Sequence, residues 1–266
     1  MRLAFSTLGL PGTPLDQVLR LAADHGWAGL ELRCAPGEPV HPELTNAERR
    51  RIRRQFATAG TTPLAVASYL GIAAPGEDAP LVAGLLDHLR LAADLDASYV
   101  RVFPQGGEGS AAGADEADGR AARRLTAVAE QARALGVRVL LETHDSHRAG
   151  RDVARVLDLV DAPAVGALWD LLHTRLAGET PSQSWEALRS HLGYVQVKDV
   201  LGPGDLTPLP LGAGTLPVAD CLRLLPSDCW VSWEYEAPWY PDAAPLAPLL
   251  ASGAACLARL GAGLGG

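Results

Sequence analysis

Ionisable side chains end an apolar stretch near the middle of the chain. Residues 138–147 read RVLLETHDSH, so the apolar run Val139, Leu140 and Leu141 stops abruptly at Glu142. A short apolar run of this kind is typical of a buried parallel strand. A buried carboxylate at its end needs a proton, a cation or a metal as a partner, because burying it alone is costly. Glu142 is therefore the first candidate for chemistry.

Polar residues recur where the other apolar, β-rich stretches end. These residues are Glu31, Arg33, Ser68, Tyr69, Arg101, Glu142, His144, Asp170, His173, Gln196, Lys198, Glu234 and Glu236. Side chains two positions apart on a strand share a face, so His144 points with Glu142 and Lys198 points with Gln196. We expect the fold to bring Asp170, Gln196 and Glu234 to the same place as Glu142.

Such a convergence predicts a metal site. Three carboxylates and an amide oxygen would repel one another unless a counter-charge lay between them. Oxygen ligands suit hard or borderline divalent ions, so Mg²⁺ or Mn²⁺ is the first expectation. The site would be open, with coordination positions left for water or substrate.

The elements that must position these residues are eight apolar stretches, each followed by a helix-like segment. The predicted strands are Leu3 to Thr7, Gly29 to Arg33, Pro63 to Tyr69, Ser98 to Phe103, the stretch Arg138 to His147 that ends in Glu142 and His144, Val165 to Asp170, Tyr194 to Lys198 and Trp230 to Glu236. Eight βα units in 266 residues predict a single α/β domain over residues 1–266, a (β/α)8 TIM barrel. In such a barrel the active site lies at the C-terminal ends of the strands.

An open, doubly wound sheet is the alternative fold. A nucleotide-binding fold of that kind is expected to have a glycine-rich phosphate-binding turn after the first strand, and residues 9–12 do not match that motif. The polar, Ala/Gly-rich segment from Gly106 to Gly119 is predicted to be a loop over the site, with the following helix starting at about Arg120.

Composition limits the function classes. The chain is 48% apolar and 20% charged, which is typical of a soluble globular protein, and no apolar run is long enough for a membrane helix. The net charge of −8 disfavours nucleic-acid binding, and the basic run from Arg49 to Arg54 has the character of a solvated helix face. The four cysteines form no CxxC pair and are predicted to be free thiols in a reducing cytoplasm.

The strand ends resemble those of a known family. LETH, LWDLLH, YVQVKD and SWEYE, in this order, look like the sugar phosphate isomerase/epimerase family, whose fold is that of the xylose isomerase-like TIM barrels. MRLAFSTLG and GLELR are similar to its opening strands. The WDxxH and VKD elements are specific to this superfamily but carry little information on the substrate.

The resemblance implies a divalent metal bound by Glu142, Asp170, Gln196 and Glu234. Many members have histidine where this chain has Gln196, whereas hydroxypyruvate isomerase-like members resemble it in using glutamine. A neutral amide oxygen favours Mg²⁺ or Mn²⁺ over Zn²⁺, with Zn²⁺ and Co²⁺ as the other candidates.

The resemblance also implies residue roles. Glu142 and Glu234 would transfer protons, and His173 would hydrogen-bond a substrate oxygen. Lys198 would bind a substrate hydroxyl, carboxylate or phosphate, or else serve only as an ion-pair partner of Glu234 or Glu236. His144 would orient the metal ligands.

The function expected is that of a metal-dependent isomerase or epimerase of a small sugar, polyol-derived ketose or 2-oxo acid, acting through an enediolate. A dehydratase or lyase of the same superfamily is one alternative, and a non-catalytic sugar-binding barrel is another. The same superfamily also contains endonucleases, which need several zinc ions and many histidine ligands. Only His144 and His173 lie near the predicted site, which disfavours that function. The expected partner is therefore a small carbohydrate rather than nucleic acid or a membrane. Trp239 and Tyr240 are candidates for shielding the site from water or for forming a homo-oligomer contact.

Overall fold

Eight parallel β-strands close into a barrel in chain order. The computed structural model of the protein describes residues 1–107 and 111–262. Each strand pairs with the next along the chain, and the first pairs with the last. The strands are β1 (Arg2–Ser6), β2 (Gly29–Arg33), β3 (Thr62–Gly71), β4 (Tyr99–Phe103), β5 (Arg138–Glu142), β6 (Val165–Asp170), β7 (Leu192–Val197) and β8 (Trp230–Trp233). The predicted (β/α)8 TIM barrel is confirmed.

Helices cover the outside of the barrel. They are α1 (Leu15–Asp24), α2 (Asn46–Ala59), α3 (Asp78–Leu95), α4 (Ala111–Leu135), α5 (Gly150–Val160), α6 (Leu171–Leu176), α7 (Pro181–Leu188), α8 (Val218–Leu224) and α9 (Leu250–Ala262). Short 3-10 turns lie at Thr7–Gly9, Ala237–Trp239 and Ala247–Leu249. In the part of the chain that the structure describes, no helix combines the length and the apolar character needed to cross a membrane.

Two apolar cores hold the layers together. The larger core fills the space between the strands and the helices. The smaller core lies inside the barrel and includes Leu64, Leu140, Leu168 and Trp230. Because this smaller core packs the barrel interior, the polar side chains of the same strands are left to gather at the opposite, C-terminal end.

The last two strands end earlier than predicted, at Val197 and Trp233. Their final ladder pair joins Val197 to Trp233. Lys198, Glu234 and Glu236 therefore follow the strands instead of lying in them. One further bond, from the Glu234 amide to the Val197 carbonyl, still fixes the start of the loop after β8.

The segment predicted as a loop from Gly106 to Gly119 is mostly helical, so that prediction was wrong. α4 already begins at Ala111, and residues 108–110 lie outside the described part of the chain. Alanine has the highest helix propensity, which favours this earlier start. Asp118, in the third turn of α4, is buried and accepts a hydrogen bond from His147, with 2.8 Å between Oδ1 and Nε2. α4 is thereby tied to the loop after β5.

A glycine in β6 gives a first stability prediction. A Cβ at Gly166 would meet the backbone carbonyl oxygen of His191 and the guanidinium of Arg138, and the carbonyl belongs to the barrel wall. We expect Gly166→Ala to lower the free energy of unfolding by about 1–3 kcal/mol, measured by urea denaturation. Gly204→Ala is the control, because a Cβ there has no described atom within 4 Å. Equal stability of the two variants would contradict this reading of the barrel packing.

Candidate active site

Buried charged and polar side chains converge at the C-terminal end of the barrel. Each comes from a strand or from the residues that follow it, and each is at most 5% exposed: Glu31, Arg101, Glu142, Asp170, Gln196, Lys198 and Glu234. The closed parallel barrel brings all the strand ends to one mouth, which is why residues far apart in the chain meet there.

Three of the carboxylates form a compact group. One oxygen each from Glu142, Asp170 and Glu234 lies within 4.8 Å of the other two. Asp170 is held firmly, because its Oδ1 caps α6 by accepting the backbone N–H groups of Leu172 at 2.7 Å and His173 at 3.2 Å. The other oxygen, Oδ2, is left for a cationic partner.

A second group shares Glu142. Ligand atoms of Glu142, His144 and His173 also lie within 4.8 Å of one another. The two imidazole rings are 4.0 Å apart between centroids, and among the described residues Nε2 of His173 has no hydrogen-bond partner. His144, which the sequence suggested only as an orienting residue, is thus also placed where it could bind a metal.

Two buried cations face the acids. Arg101 donates from Nη1 to Glu142 Oε2 at 3.0 Å. The ammonium of Lys198 lies 2.8 Å from Asp170 Oδ2 and 2.5 Å from Glu236 Oε1, and it also donates to Glu234 Oε2.

The charges of this centre leave a negative excess. Six charged side chains of this centre are at most 5% exposed. The four acids are Glu31, Glu142, Asp170 and Glu234, and the two cations are Arg101 and Lys198. With all six ionised, the negative charges exceed the positive ones by two. A divalent cation would balance that excess, and the oxygen-rich donor set is the kind that such ions bind.

Burial and neighbouring charges shift several pKa values. Burial raises the pKa of Glu142 to about 8, although the Arg101 guanidinium opposes the shift. Burial and repulsion from Glu234 raise the pKa of Glu31. The pKa of His173 lies well below its usual value because the ring is buried and close to His144, so the imidazole is neutral. Burial alone would lower the pKa of Lys198, but the surrounding carboxylates hold it well above its ordinary value.

Gln196 presents its amide in a defined way. Nε2 donates to both oxygens of Glu31, at 3.1 and 3.0 Å, and to Glu234 Oε1 at 3.2 Å. Oε1 is buried and has no hydrogen-bond partner among the described residues. A buried carbonyl oxygen without a donor fits a cation ligand, because leaving it unpaired is otherwise unfavourable.

Sequence reasoning thus named Glu142, Asp170, Gln196, Glu234, His173 and Lys198, and the structure brings these side chains to one end of the barrel. It did not assign a role to Glu31 or Arg101, and it missed Tyr194, whose hydroxyl donates to Glu31 at 2.6 Å. Tyr194 and Gln196 are two apart on β7 and share a face, which was the available signal. The spacing of residues within β7 does not show that both side chains contact Glu31 on β2.

Solved structures of similar fold include several proteins with sugar-related or metal-related descriptions. The IolI protein with a bound zinc atom is 19% identical with a TM-score of 0.82, covering 99% of each chain. D-psicose 3-epimerase in the presence of D-fructose is 16% identical with a TM-score of 0.80, covering all of both chains. The probable 3-DHS dehydratase AsbF of Bacillus anthracis, involved in petrobactin synthesis, is 16% identical with a TM-score of 0.79, covering 97% of this chain and 99% of that one. At these identities the likeness concerns the fold.

Sequence comparison with families is more decisive. No curated protein matches the chain significantly. The family model described as "Xylose isomerase-like TIM barrel" matches residues 19–260, which is most of the chain and includes every residue of the candidate site. The protein therefore belongs to the xylose isomerase-like TIM barrel family.

Proposed function

We propose that the protein is a divalent-metal-dependent isomerase or epimerase of a small sugar, polyol-derived ketose or 2-oxo acid. The observation that carries the proposal is the buried group of Glu142, Asp170 and Glu234, with ligand atoms within 4.8 Å of one another. The family membership and the epimerases among the structural neighbours support it.

The metal would be held by these three carboxylates and by Oε1 of Gln196, with Mg²⁺ or Mn²⁺ first and Zn²⁺ or Co²⁺ as the other candidates. When bound, it would polarise the substrate carbonyl and stabilise negative charge on the substrate oxygens. The zinc in the IolI structure supports a divalent ion in general and does not select one.

Glu142 and Glu234 would move the protons. Burial raises the pKa of Glu142 to about 8 in the metal-free protein, and a bound divalent ion would lower it from there, which favours the carboxylate that takes up the proton. In epimerisation, one glutamate removes the proton α to the carbonyl to give an enediolate, and the other returns a proton to the opposite face of the same carbon. In isomerisation, a single glutamate returns the proton to the adjacent carbon.

His173 and Lys198 would assist in different ways. The neutral imidazole of His173 has a free Nε2 and can hydrogen-bond a substrate oxygen. Lys198 is engaged by Asp170, Glu234 and Glu236, which favours the ion-pair role over direct substrate binding. Its ammonium would keep Glu234 oriented.

Deuterium exchange tests this proposal on a range of candidate substrates at once. The Mn²⁺-loaded and Mg²⁺-loaded protein is incubated in D₂O with a panel of ketoses and 2-oxo acids, and deuterium at the carbon α to the carbonyl is read by NMR. Label with inversion at one carbon indicates epimerisation, label on the adjacent carbon indicates isomerisation, and loss of water indicates the dehydratase alternative.

Metal analysis of the same samples separates the remaining alternative. About one metal per chain in the wild type, lost in Glu234→Ala, is the expected result. Metal-free protein after reconstitution, with sugar binding but without deuterium uptake, would contradict the proposal and favour a non-catalytic sugar-binding barrel.

Replacing Gln196 with histidine tests the strand-seven ligand. An imidazole nitrogen binds Zn²⁺ and Co²⁺ better than an amide oxygen does, so Gln196→His is expected to shift preference toward these ions. Calorimetric titration with Mn²⁺, Co²⁺ and Zn²⁺ measures the change. Unaltered affinities for all three ions would show that residue 196 is not a ligand.

A further inference from the structure

We propose that Glu31 is a positioning residue that fixes the Gln196 amide with its oxygen directed to the candidate metal centre. The proposal rests on the proposed function only in requiring that a divalent cation binds there. It concerns a residue on β2, which is outside the set of candidate ligands.

Glu31 has no access to solvent. It is 0% exposed, and both its oxygens accept from Gln196 Nε2, while Oε2 also accepts from the Tyr194 hydroxyl at 2.6 Å. The two strands involved are not neighbours in the barrel, so these hydrogen bonds cross its interior. A buried acid that joins β2 to β7 in this way is part of a defined polar arrangement.

The chemistry of a carboxylate decides which way the amide faces. Both oxygens of Glu31 accept hydrogen bonds here, from Gln196 Nε2 and from the Tyr194 hydroxyl, whereas an amide has one donating and one accepting end. Glu31 and Glu234 are both acceptors of Nε2, so a rotated amide would turn its oxygen toward two carboxylates and lose these bonds. Only the observed orientation frees Oε1, which is the buried oxygen without a partner among the described residues.

The register of the barrel places Gln196 beside the candidate ligands. Gln196 pairs with Asp170 on β6 and with Ser232 on β8. It therefore stands between one candidate ligand, Asp170, and the strand that leads to another, Glu234. Residues that orient metal ligands in this manner commonly change metal affinity by about 10–100-fold when they are replaced.

Mn²⁺ titration of four proteins tests the coupling between the two residues. The proteins are the wild type, Glu31→Gln, Gln196→Ala and the double variant. Glutamine at position 31 can either donate or accept, so both amide orientations of Gln196 become allowed. We expect Glu31→Gln to weaken Mn²⁺ binding by about tenfold or more in the wild-type background. We expect it to change binding by less than about twofold in the Gln196→Ala background, where no amide remains to be positioned.

Two further variants serve as a substitute and a control for Glu31→Gln. Tyr194→Phe removes one donor that holds Glu31 in place without changing any charge. It is used if Glu31→Gln does not fold, as judged by circular dichroism, and a loss of Mn²⁺ affinity that occurs only while Gln196 is present is again the supporting result. Glu38→Gln is the control for removing a buried glutamate at the same end of β2, because Glu38 pairs with Arg33 rather than with the ligand group. Its Mn²⁺ affinity is expected to stay within about twofold of the wild type.

The outcomes separate this inference from the proposed function. If the wild type binds Mn²⁺ but Glu31→Gln weakens binding equally in both backgrounds, Glu31 acts only through its charge and the inference is overturned alone. If the wild type binds no divalent ion, the inference and the metal part of the proposed function are overturned together. If Glu31→Gln weakens Mn²⁺ binding only in the protein that retains Gln196, the positioning role is supported.

Discussion

Glu142→Gln is expected to reduce kcat by about 100- to 10,000-fold while leaving the fold intact, the loss typical of removing a general acid–base group. The glutamine keeps the size of the side chain and can still accept the hydrogen bond from Arg101. It cannot take up a substrate proton at any accessible pH. The expected loss therefore follows from the proton-transfer role rather than from a change in shape.

The measurement is deuterium wash-in on the substrate found in the D₂O panel. Because Glu142 is also a candidate ligand, the Mn²⁺ Kd of the variant is determined first and the rate is taken at saturating metal. Glu179→Gln is the matched control, since Glu179 is a buried carboxylate that binds the backbone N–H of Gly150 and the Ser184 hydroxyl. Wash-in at the wild-type rate in the metal-saturated Glu142→Gln protein would remove Glu142 from the mechanism.

Features with local causes were predictable from the sequence. The spacing of Thr45 and Glu48 is that of a capping box, and the two residues form one at the start of α2. α3 and α5 are further examples, because their amphipathic patterns are bounded by turn residues. The order of strands in the barrel follows from repeated βα units, since parallel neighbours need crossover connections.

Features that depend on contacts distant in sequence could not be predicted in this way. The hydrogen bond between Tyr194 and Glu31 joins residues 163 positions apart, and nothing in either strand specifies the other. Asp118 in α4 is hydrogen-bonded to His147 in the loop after β5, 29 positions away, and neither local sequence specifies the other. For Lys198, the sequence left two roles open, and only its distances to three carboxylates favour one of them.

Arg101→Met is expected to lower the free energy of unfolding of the metal-free protein by about 3–5 kcal/mol, the usual cost of removing one partner from a buried ion pair. Arg101 is 3% exposed and contacts Glu142 at 3.0 Å, with its guanidinium 3.9 Å from the centroid of the Phe103 ring. Methionine can fill much of the same space. What it cannot supply is the positive charge that compensates Glu142.

A double-mutant cycle distinguishes charge compensation from packing. If Arg101 acts as the counter-charge of Glu142, the double variant Arg101→Met/Glu142→Gln regains a large part of the lost stability, because the carboxylate that Arg101 compensates has been removed as well. Urea unfolding in the presence of a chelator gives the four free energies. Arg124→Met serves as the control, since Arg124 is buried and pairs with Asp78 at a different place, so Glu142→Gln should not rescue it.

Strict additivity of the two substitutions would contradict the compensation argument. The coupled result would instead explain how the chain folds before any metal is bound. Without Arg101, burial and the repulsion from Glu234 and Asp170 would act on Glu142 with only His144 opposing them. With it, one fixed positive charge lets Glu142 remain buried beside the other carboxylates, and the remaining negative excess is available for a divalent ion.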